Sequence, residues 1–281
     1  MSELDKKIKD SIRILKMGAQ DKTVELSYSG GKDSDVILTL AKMAGISIRP
    51  IYKCTTIDPP GTIKHVRENR VEVIMPAKTF FQLIEKKGFP TMRARFCCDV
   101  MKEYKIMDAA IQGIRRCESV KRAKNYREPF ICRNYGSKKN HVDVILPILE
   151  WTDDDVREFV ETHGIKCHPL YYDEEGKFCV ERRLGCLACP LQGDRGLEDF
   201  KTYPKLVRCW LKAGKKWWDR PHNPKKGRPG SRQKFDDVYQ LFCHNLFVNS
   251  YSDFNTLRGG LFGTVDCKAF LEDYFKIDLT I

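Results

Sequence analysis

Long apolar runs are missing from this sequence of 281 residues. A membrane-spanning helix needs about 20 consecutive apolar residues, and no stretch approaches that. The opening residues, MSELDKKIKDSIRIL, mix charge with spaced apolar side chains and hold no apolar block of the kind a secretory signal carries. The expectation is a soluble, cytoplasmic protein with no membrane partner. Internal repeats are absent as well. Acidic residues are scarce in one place: from Lys201 to Lys234, twelve lysines and arginines face a single acid, Asp219, so nearly all of the formal charge of +12 sits there. A local excess of that kind points to a polyanionic partner.

What is present in quantity is cysteine, twelve in all. In a chain this long, without a secretory leader, metal or redox chemistry is a better reading than a disulfide framework. Cys54, Cys117, Cys132, Cys167, Cys179 and Cys209 stand singly, and at least half of them are expected to be ordinary small hydrophobes. Cys97-Cys98 and the CxxC pair Cys186 and Cys189 form a quartet. Four thiolates can hold zinc or an iron–sulfur cluster. Neighbouring side chains on a helix diverge by about 100°. That divergence is awkward at one zinc ion and easier at the corners of a four-iron cube.

The apolar pattern alternates between two periods. VELSYS (24–29), ISIRPIYK (46–53), VEVIMP (71–76), AAIQGI (109–114) and VDVILPI (142–148) read as strands. Helices are expected over 33–44, near 61–69, at 79–87 and near 97–107. Another follows Trp151, where Thr152 and Asp155 make a capping-box pattern, Val156, Phe159 and Val160 make a stripe, and Gly164 stops it. Strands alternating with helices predict an α/β fold, a parallel sheet covered on both faces. From about residue 196 the character turns basic, aromatic and helical, broken by the loop-like DRPHNPKKGRPGSRQK. The expected division is therefore a nucleotide-binding domain over 1–195 and a basic aromatic region over 196–281. In the latter, Trp210, Trp217 and Trp218 stand among cations. Aromatic faces stack bases at roughly 1–3 kcal/mol each, although the spacing of 210 and 217 also suits a helix stripe facing a core.

Ser29-Gly30-Gly31-Lys32-Asp33-Ser34 joins the first strand to the following helix. Glycines let the main chain approach a phosphate, and N–H groups at a helix start favour an anion. A Walker A loop is ruled out, because Leu26 and Asp33 stand where that pattern needs glycine and a hydroxyl residue. The hexapeptide instead resembles the pyrophosphate loop of N-type ATP pyrophosphatases, which split ATP between the α and β phosphates, usually with Mg2+.

With this loop, TTIDPP (55–60), RARFCCDVMK (93–102), GIRRCESVKR (113–122), PILEWTDDDV (147–156) and RRLGCLACP (182–190) occur in the order seen in the phosphoadenosine-phosphosulfate reductase-like family. The resemblance covers about residues 20–192. It implies the adenine-nucleotide α-hydrolase fold, a parallel Rossmann-like sheet. It also implies ATP as ligand and a 4Fe-4S cluster on Cys97, Cys98, Cys186 and Cys189, with Lys102 placing positive charge nearby. The nucleotide site it implies comprises Ser29, Gly30, Gly31, Lys32, Asp33 and Ser34, then Gly113, Arg115, Glu118, Ser119 and Arg122, with Asp58 facing the nucleotide. Lys32, Asp33 and Arg115 carry the catalytic expectation.

Sulfonucleotide reductases of the family usually depart from SGGKDS and end in a Glu-Cys-Gly tail. Here the loop is complete and no Glu-Cys-Gly occurs; Cys243 and Cys267 stand in FCHNL and VDCKAF instead. The pattern resembles more closely the cluster-bearing branch that contains the DNA phosphorothioation sulfurtransferase. That branch implies adenylation of an acceptor and sulfur from a donor such as a cysteine desulfurase, with nucleic acid met through residues 201–234. The alternatives are a sulfonucleotide reductase forming sulfite, a non-catalytic nucleotide- or nucleic-acid-binding module, and other adenylating chemistry.

Overall fold

Ser2 opens the first helix by bonding reciprocally with Asp5, and α1 (Glu3–Ala19) buries Leu4, Ser11, Leu15 and Ala19 along one face. The structure is a computed structural model that describes residues 2–135, 140–221, 235–247 and 266–280. After α1 come β1 (Val24–Ser27), α2 (Lys32–Ala44), β2 (Ile48–Lys53), α3 (Thr62–Glu68) and β3 (Glu72–Ile74). Then follow α4 (Phe80–Lys87), α5 (Phe96–Met101), β4 (Ala109–Ile111), α6 (Val120–Asn125), β5 (Phe130–Asn134) and β6 (His141–Ile145). The remainder is helical: α7 (Asp153–Thr162), α8 (Asp194–Thr202), α9 (Pro204–Trp218), α10 (Val238–Phe247) and α11 (Cys267–Phe275).

The six strands form one sheet in the order β3-β2-β1-β4-β6-β5. All neighbours pair in parallel except β5 and β6, which are antiparallel. The expected α/β class therefore holds, and the departure from an all-parallel sheet lies at one edge. β5 alternates exposed and half-buried residues, as an edge strand does, and so lacks the continuous apolar run that marks a buried parallel strand. The helix expected to reach 107 stops at Met101, where the Lys102 and Glu103 N–H groups both close on the Cys98 carbonyl at 2.8 Å.

The chain divides into two compact units, Met1–Pro76 with Cys98–Gly185, and Ala77–Cys97 with Cys186–Ile281. In the first, Leu26, Val36, Ile37, Leu40, Trp151 and Phe159 are buried in one apolar cluster. Complete burial of such side chains contributes about 1.5–3 kcal/mol each. Ser11 ties α1 into this core: its hydroxyl donates to the Pro147 carbonyl at 2.7 Å and accepts from the Trp151 indole at 3.0 Å.

In the second unit, residues 77–97 pack with the helical region that begins at Cys186 rather than with the sheet. Lys216 of α9 pairs with Glu85 of α4 at 2.7 Å, and a Cβ on Gly88 would meet the Trp217 ring at 2.9 Å. Trp210 lies in an aromatic cluster with Phe80, Phe89, Phe200 and Phe242, at centroid distances of 5.1 to 6.2 Å. Among the described residues no helix is long and apolar enough to cross a membrane.

Candidate nucleotide site

In an open α/β sheet, ligands bind at the carboxyl ends of the strands where the order reverses. Here that place is β1, which has β2 on one side and β4 on the other. The chain leaves β1 at Ser27 and enters α2 at Lys32, so Tyr28, Ser29, Gly30 and Gly31 make the turn. Gly30 takes φ +78°, and an added Cβ would press on Leu184 and Thr62 at 3.3 Å. Both the sign of φ and the space therefore require glycine. Gly31 caps α2 with no side-chain bond of its own. The Ser34 hydroxyl closes the turn by donating to the Gly31 carbonyl at 2.6 Å.

A cavity of about 230 Å³ opens on this turn, lined by Ser27, Ser29, Gly31, Lys32, Asp33 and Ser34, by Gly113, Glu118 and Arg122 from beyond β4, and by Tyr171, Arg183 and Leu184. Gly113 lets the two halves meet, because a Cβ there would stand 3.1 Å from the Asp33 carbonyl oxygen. Lys32 is buried, with its ammonium 3.4 Å from Asp33 Oδ2 and 5.5 Å from the centre of the Tyr171 ring. Arg122 pairs with Glu118. Burial, and then repulsion from Arg183, pull the Arg122 guanidinium below its ordinary value. Two guanidinium groups that repel across a cleft beside a helix N-terminus suit a multiply charged anion.

The structure places the remaining expected residues differently. Arg115 is only 1% exposed and lies beneath the cavity wall. Its Nε donates to Asp33 Oδ1 at 2.7 Å, its Nη2 to Asp153 Oδ1 at 2.8 Å and its Nη1 to Cys117 Sγ at 3.2 Å. Burial works against the charge, but Asp33 and Asp153 outweigh it and hold Arg115 above its ordinary value. Arg115 therefore orients Asp33, and Asp33 faces the cavity. The Ser119 hydroxyl caps α6 by accepting the Arg122 N–H at 3.1 Å. Asp58 folds back on its own turn, accepting from the Thr55 N–H at 2.9 Å and the Thr55 hydroxyl at 2.7 Å.

Tyr171, Arg183 and Leu184 were not among the residues expected at this site. Arg183 and Leu184 sit in the RRLGCLACP block, where the cysteine spacing masks them; Tyr171 carries no spacing signal. Its hydroxyl accepts the Leu184 N–H at 3.1 Å and so holds that block against the loop.

Under the loop lies a buried polar group that no motif announces. The Tyr28 hydroxyl donates to Asp35 and stands 3.0 Å from His65 Nε2. His65 Nε2 is in turn 3.0 and 3.1 Å from the two Asp35 oxygens. Burial pushes the Asp35 carboxyl up, and burial and then Asp35 push the Cys167 thiol up. Burial and then His65 pull His168 down. Because Asp35 lies in the first turn of α2, this group anchors the helix start from below.

Cys97 and Cys98 lie in the first turn of α5, and both are half-buried. Cys186 and Cys189 flank Ala188, which adopts φ +52°, and are half-buried too. In the basic segment, Trp210 is 3% exposed in the aromatic cluster, so its spacing reflects a core stripe. Lys215 pairs with Asp219 at 2.9 Å, while Lys205 and Lys212 on α9 are exposed. Residues 222–234 of the basic stretch lie outside the described residues.

A mostly parallel sheet whose order reverses beside a glycine loop, with cations gathered at that point, defines an open α/β protein with a basic cleft at its switch point. The chain belongs to the family of the phosphoadenosine phosphosulfate reductase domain, whose model matches residues 23–192. An uncharacterised protein of Methanocaldococcus jannaschii is 30% identical over 209 residues, covering 69% of this chain and 48% of its own length. A sulfate adenylyltransferase subunit 2 of Rhodospirillum rubrum is 28% identical over 205 residues, covering 61% of this chain and 69% of its own. Among solved structures, phosphoadenylyl-sulfate reductase from Candida auris in a phosphate complex aligns with a TM-score of 0.44 at 13% identity, over 66% of this chain and 96% of that one. The chain spans 48%, 41% and 60% of the length of three uncharacterised relatives, two from Methanocaldococcus jannaschii and one from Escherichia phage 186.

Proposed function

We propose that this chain is an ATP pyrophosphatase that adenylates an acceptor for sulfur transfer. One observation carries the reading: Ser29, Gly31, Lys32, Asp33 and Ser34 of the loop line a single cavity at the β1 switch point together with Arg122 and Arg183. The substrate is ATP with its Mg2+. An acceptor oxygen attacks the α phosphorus, the bond to the β-phosphate oxygen breaks, and pyrophosphate leaves. Lys32 and the Gly30–Gly31 turn lie where charge develops on the leaving group, and fixed donors there lower the barrier. Asp33, oriented by Arg115, offers a carboxylate to the metal that ATP brings. Arg122 and Arg183 hold the remaining phosphate oxygens.

Adenylation turns the acceptor oxygen into a leaving group: the terminal sulfur of a donor persulfide, such as that of a cysteine desulfurase, attacks the activated atom, AMP departs, and a thiol reductant cleaves the remaining S–S bond to free the thiolated acceptor. Cys97, Cys98, Cys186 and Cys189, all half-buried thiols, fit the donor set of a 4Fe-4S cluster. When bound, that group would relay sulfur or stiffen the site. Exposed cations such as Lys205 and Lys212, with the tract that follows α9, favour a nucleic acid as acceptor.

The test is pyrophosphate release by anaerobically prepared protein given ATP with tRNA, with DNA and with sulfate. Release that depends on one acceptor and vanishes in Lys32→Ala is the expected result; ATP left intact in every arm overturns the proposal. A second reading, sulfonucleotide reduction, is supported by membership in the phosphoadenosine phosphosulfate reductase family over residues 23–192. It wins if ATP is inert while adenylated sulfate with thioredoxin yields sulfite.

A further inference from the structure

Away from the cleft, three side chains of the kinds that bind metals meet on the antiparallel edge of the sheet. Cys132 of β5 sits directly opposite Asp143 of β6, and His141 precedes Asp143 by two residues on the same strand. Side chains alternate along a strand and face one another across a pair, so all three project from one face. His141 Nε2 lies 2.9 Å from Asp143 Oδ1, and Cys132 Sγ lies 3.6 Å from the same oxygen. The three ligand atoms all fall within 4.8 Å of one another, and all three residues are exposed.

In a tetrahedral zinc site the bond lengths place neighbouring S, N and O ligands roughly 3.3–3.6 Å apart. The two spacings to Asp143 reach that with shifts of a few tenths of an ångström, and turning of the exposed Cys132 and His141 side chains closes the third. A hydrogen-bonded histidine and aspartate alone would be an ordinary surface pair. The thiol changes the chemistry, since sulfur with imidazole selects zinc over magnesium or calcium. A second observation adds to the geometry. Cys132 and Asp143 also line a cavity of about 610 Å³, with Met17, Asp108 and Phe130 in its wall. Residues preceding β1 and β4 border this cavity, so it opens at the amino edge of the sheet, opposite the nucleotide loop. Three protein ligands leave a fourth position for water or for a small ligand entering from that cavity.

We propose that Cys132, His141 and Asp143 bind one thiophilic divalent cation, zinc or a close analogue, at the amino edge of the sheet. The ion would fasten β5 to β6 at this edge.

Because eleven other thiols are present, the test reads Cys132 alone. Full-length protein is treated with an alkylating reagent with and without micromolar zinc, and modification of the Cys132 peptide is followed by mass spectrometry. Zinc is expected to slow alkylation of Cys132 by about tenfold or more, because a metal-bound thiolate is a poor nucleophile. In His141→Ala and Asp143→Asn the protection should vanish, the rates with and without zinc becoming equal when each variant is read against its own metal-free rate. Equal alkylation with and without zinc, protection that needs millimolar zinc, or full protection in His141→Ala would each overturn the proposal.

Discussion

Replacing Arg115 by methionine tests whether this arginine holds the site together from below. The guanidinium is 1% exposed and bonds Asp33 at 2.7 Å and Asp153 at 2.8 Å. Removing one partner of a buried ion pair costs about 3–5 kcal/mol, because the charge left behind has lost its compensation. The loss is not the same for the two carboxylates. The Asp153 side chain is 56% exposed and regains water, whereas that of Asp33 is 19% exposed and, among the described residues, is left with Lys32 at 3.4 Å. The low end of the range, about 3 kcal/mol, is therefore expected. For a unit of this size that lowers the melting temperature by roughly 6–12 °C.

Thermal and urea unfolding of Arg115→Met, Asp33→Asn and the double variant, followed by far-ultraviolet circular dichroism, measures the effect. Neutralising Asp33 should recover part of the loss, with a coupling of about 1–3 kcal/mol between the two sites. Asp153→Asn should cost under about 1 kcal/mol. If Arg115→Met melts with the wild type, or if the two losses simply add, Arg115 does not hold Asp33 and the reasoning fails.

Gly113→Ala places a methyl group 3.1 Å from the Asp33 backbone oxygen; it should weaken ATP binding sharply while costing only about 1–3 kcal/mol of stability, as titration calorimetry beside a melt will read. Trp210→Ala should cost about 3–5 kcal/mol. Trp210→Phe should cost less, because the buried indole N–H has no hydrogen-bond partner among the described residues, and it should leave any affinity for nucleic acid unchanged in a filter-binding assay. Acid stability should depend on the pair that joins α1 to α7, Lys7 and Asp155 at 2.7 Å. Burial alone would raise the Asp155 carboxyl, but bonds from Lys7 and Thr152 outweigh it and hold it below its ordinary value of 3.8. A depressed carboxylate stabilises the fold above its unfolded value and loses that contribution as pH falls through the folded one. Urea midpoints should therefore fall below about pH 4 in the wild type and fall less steeply there in Asp155→Asn.

Much of the first unit was legible along the chain because its signals are local. The capping box of α7, the apolar stripe of α2 and the glycine turn between β1 and α2 each lie within a few residues, and each stands where its spacing put it. β5 was missed because an edge strand buries too little to show an apolar run. Residues 77–97 were expected with the sheet, and only the packing of α4 on α9 puts them with the C-terminal helices. Asp58 looked free to meet a nucleotide until its carboxylate was seen on its own Thr55.

The chain alone determined the family, the α/β class and the loop that faces the cavity, because those depend on short-range spacing and on motif order. Only the tertiary structure decided what stands behind that loop. Arg115 reaches Asp33 across 82 positions, and His65 reaches Asp35 across 30. A charge or hydrogen bond depends on distance in space, and sequence separation does not encode that distance until the sheet has set its strand order. Trp210 shows the same thing in the second unit. Its position among lysines suited a surface that stacks bases, and burial against Phe80, Phe200 and Phe242 made it core.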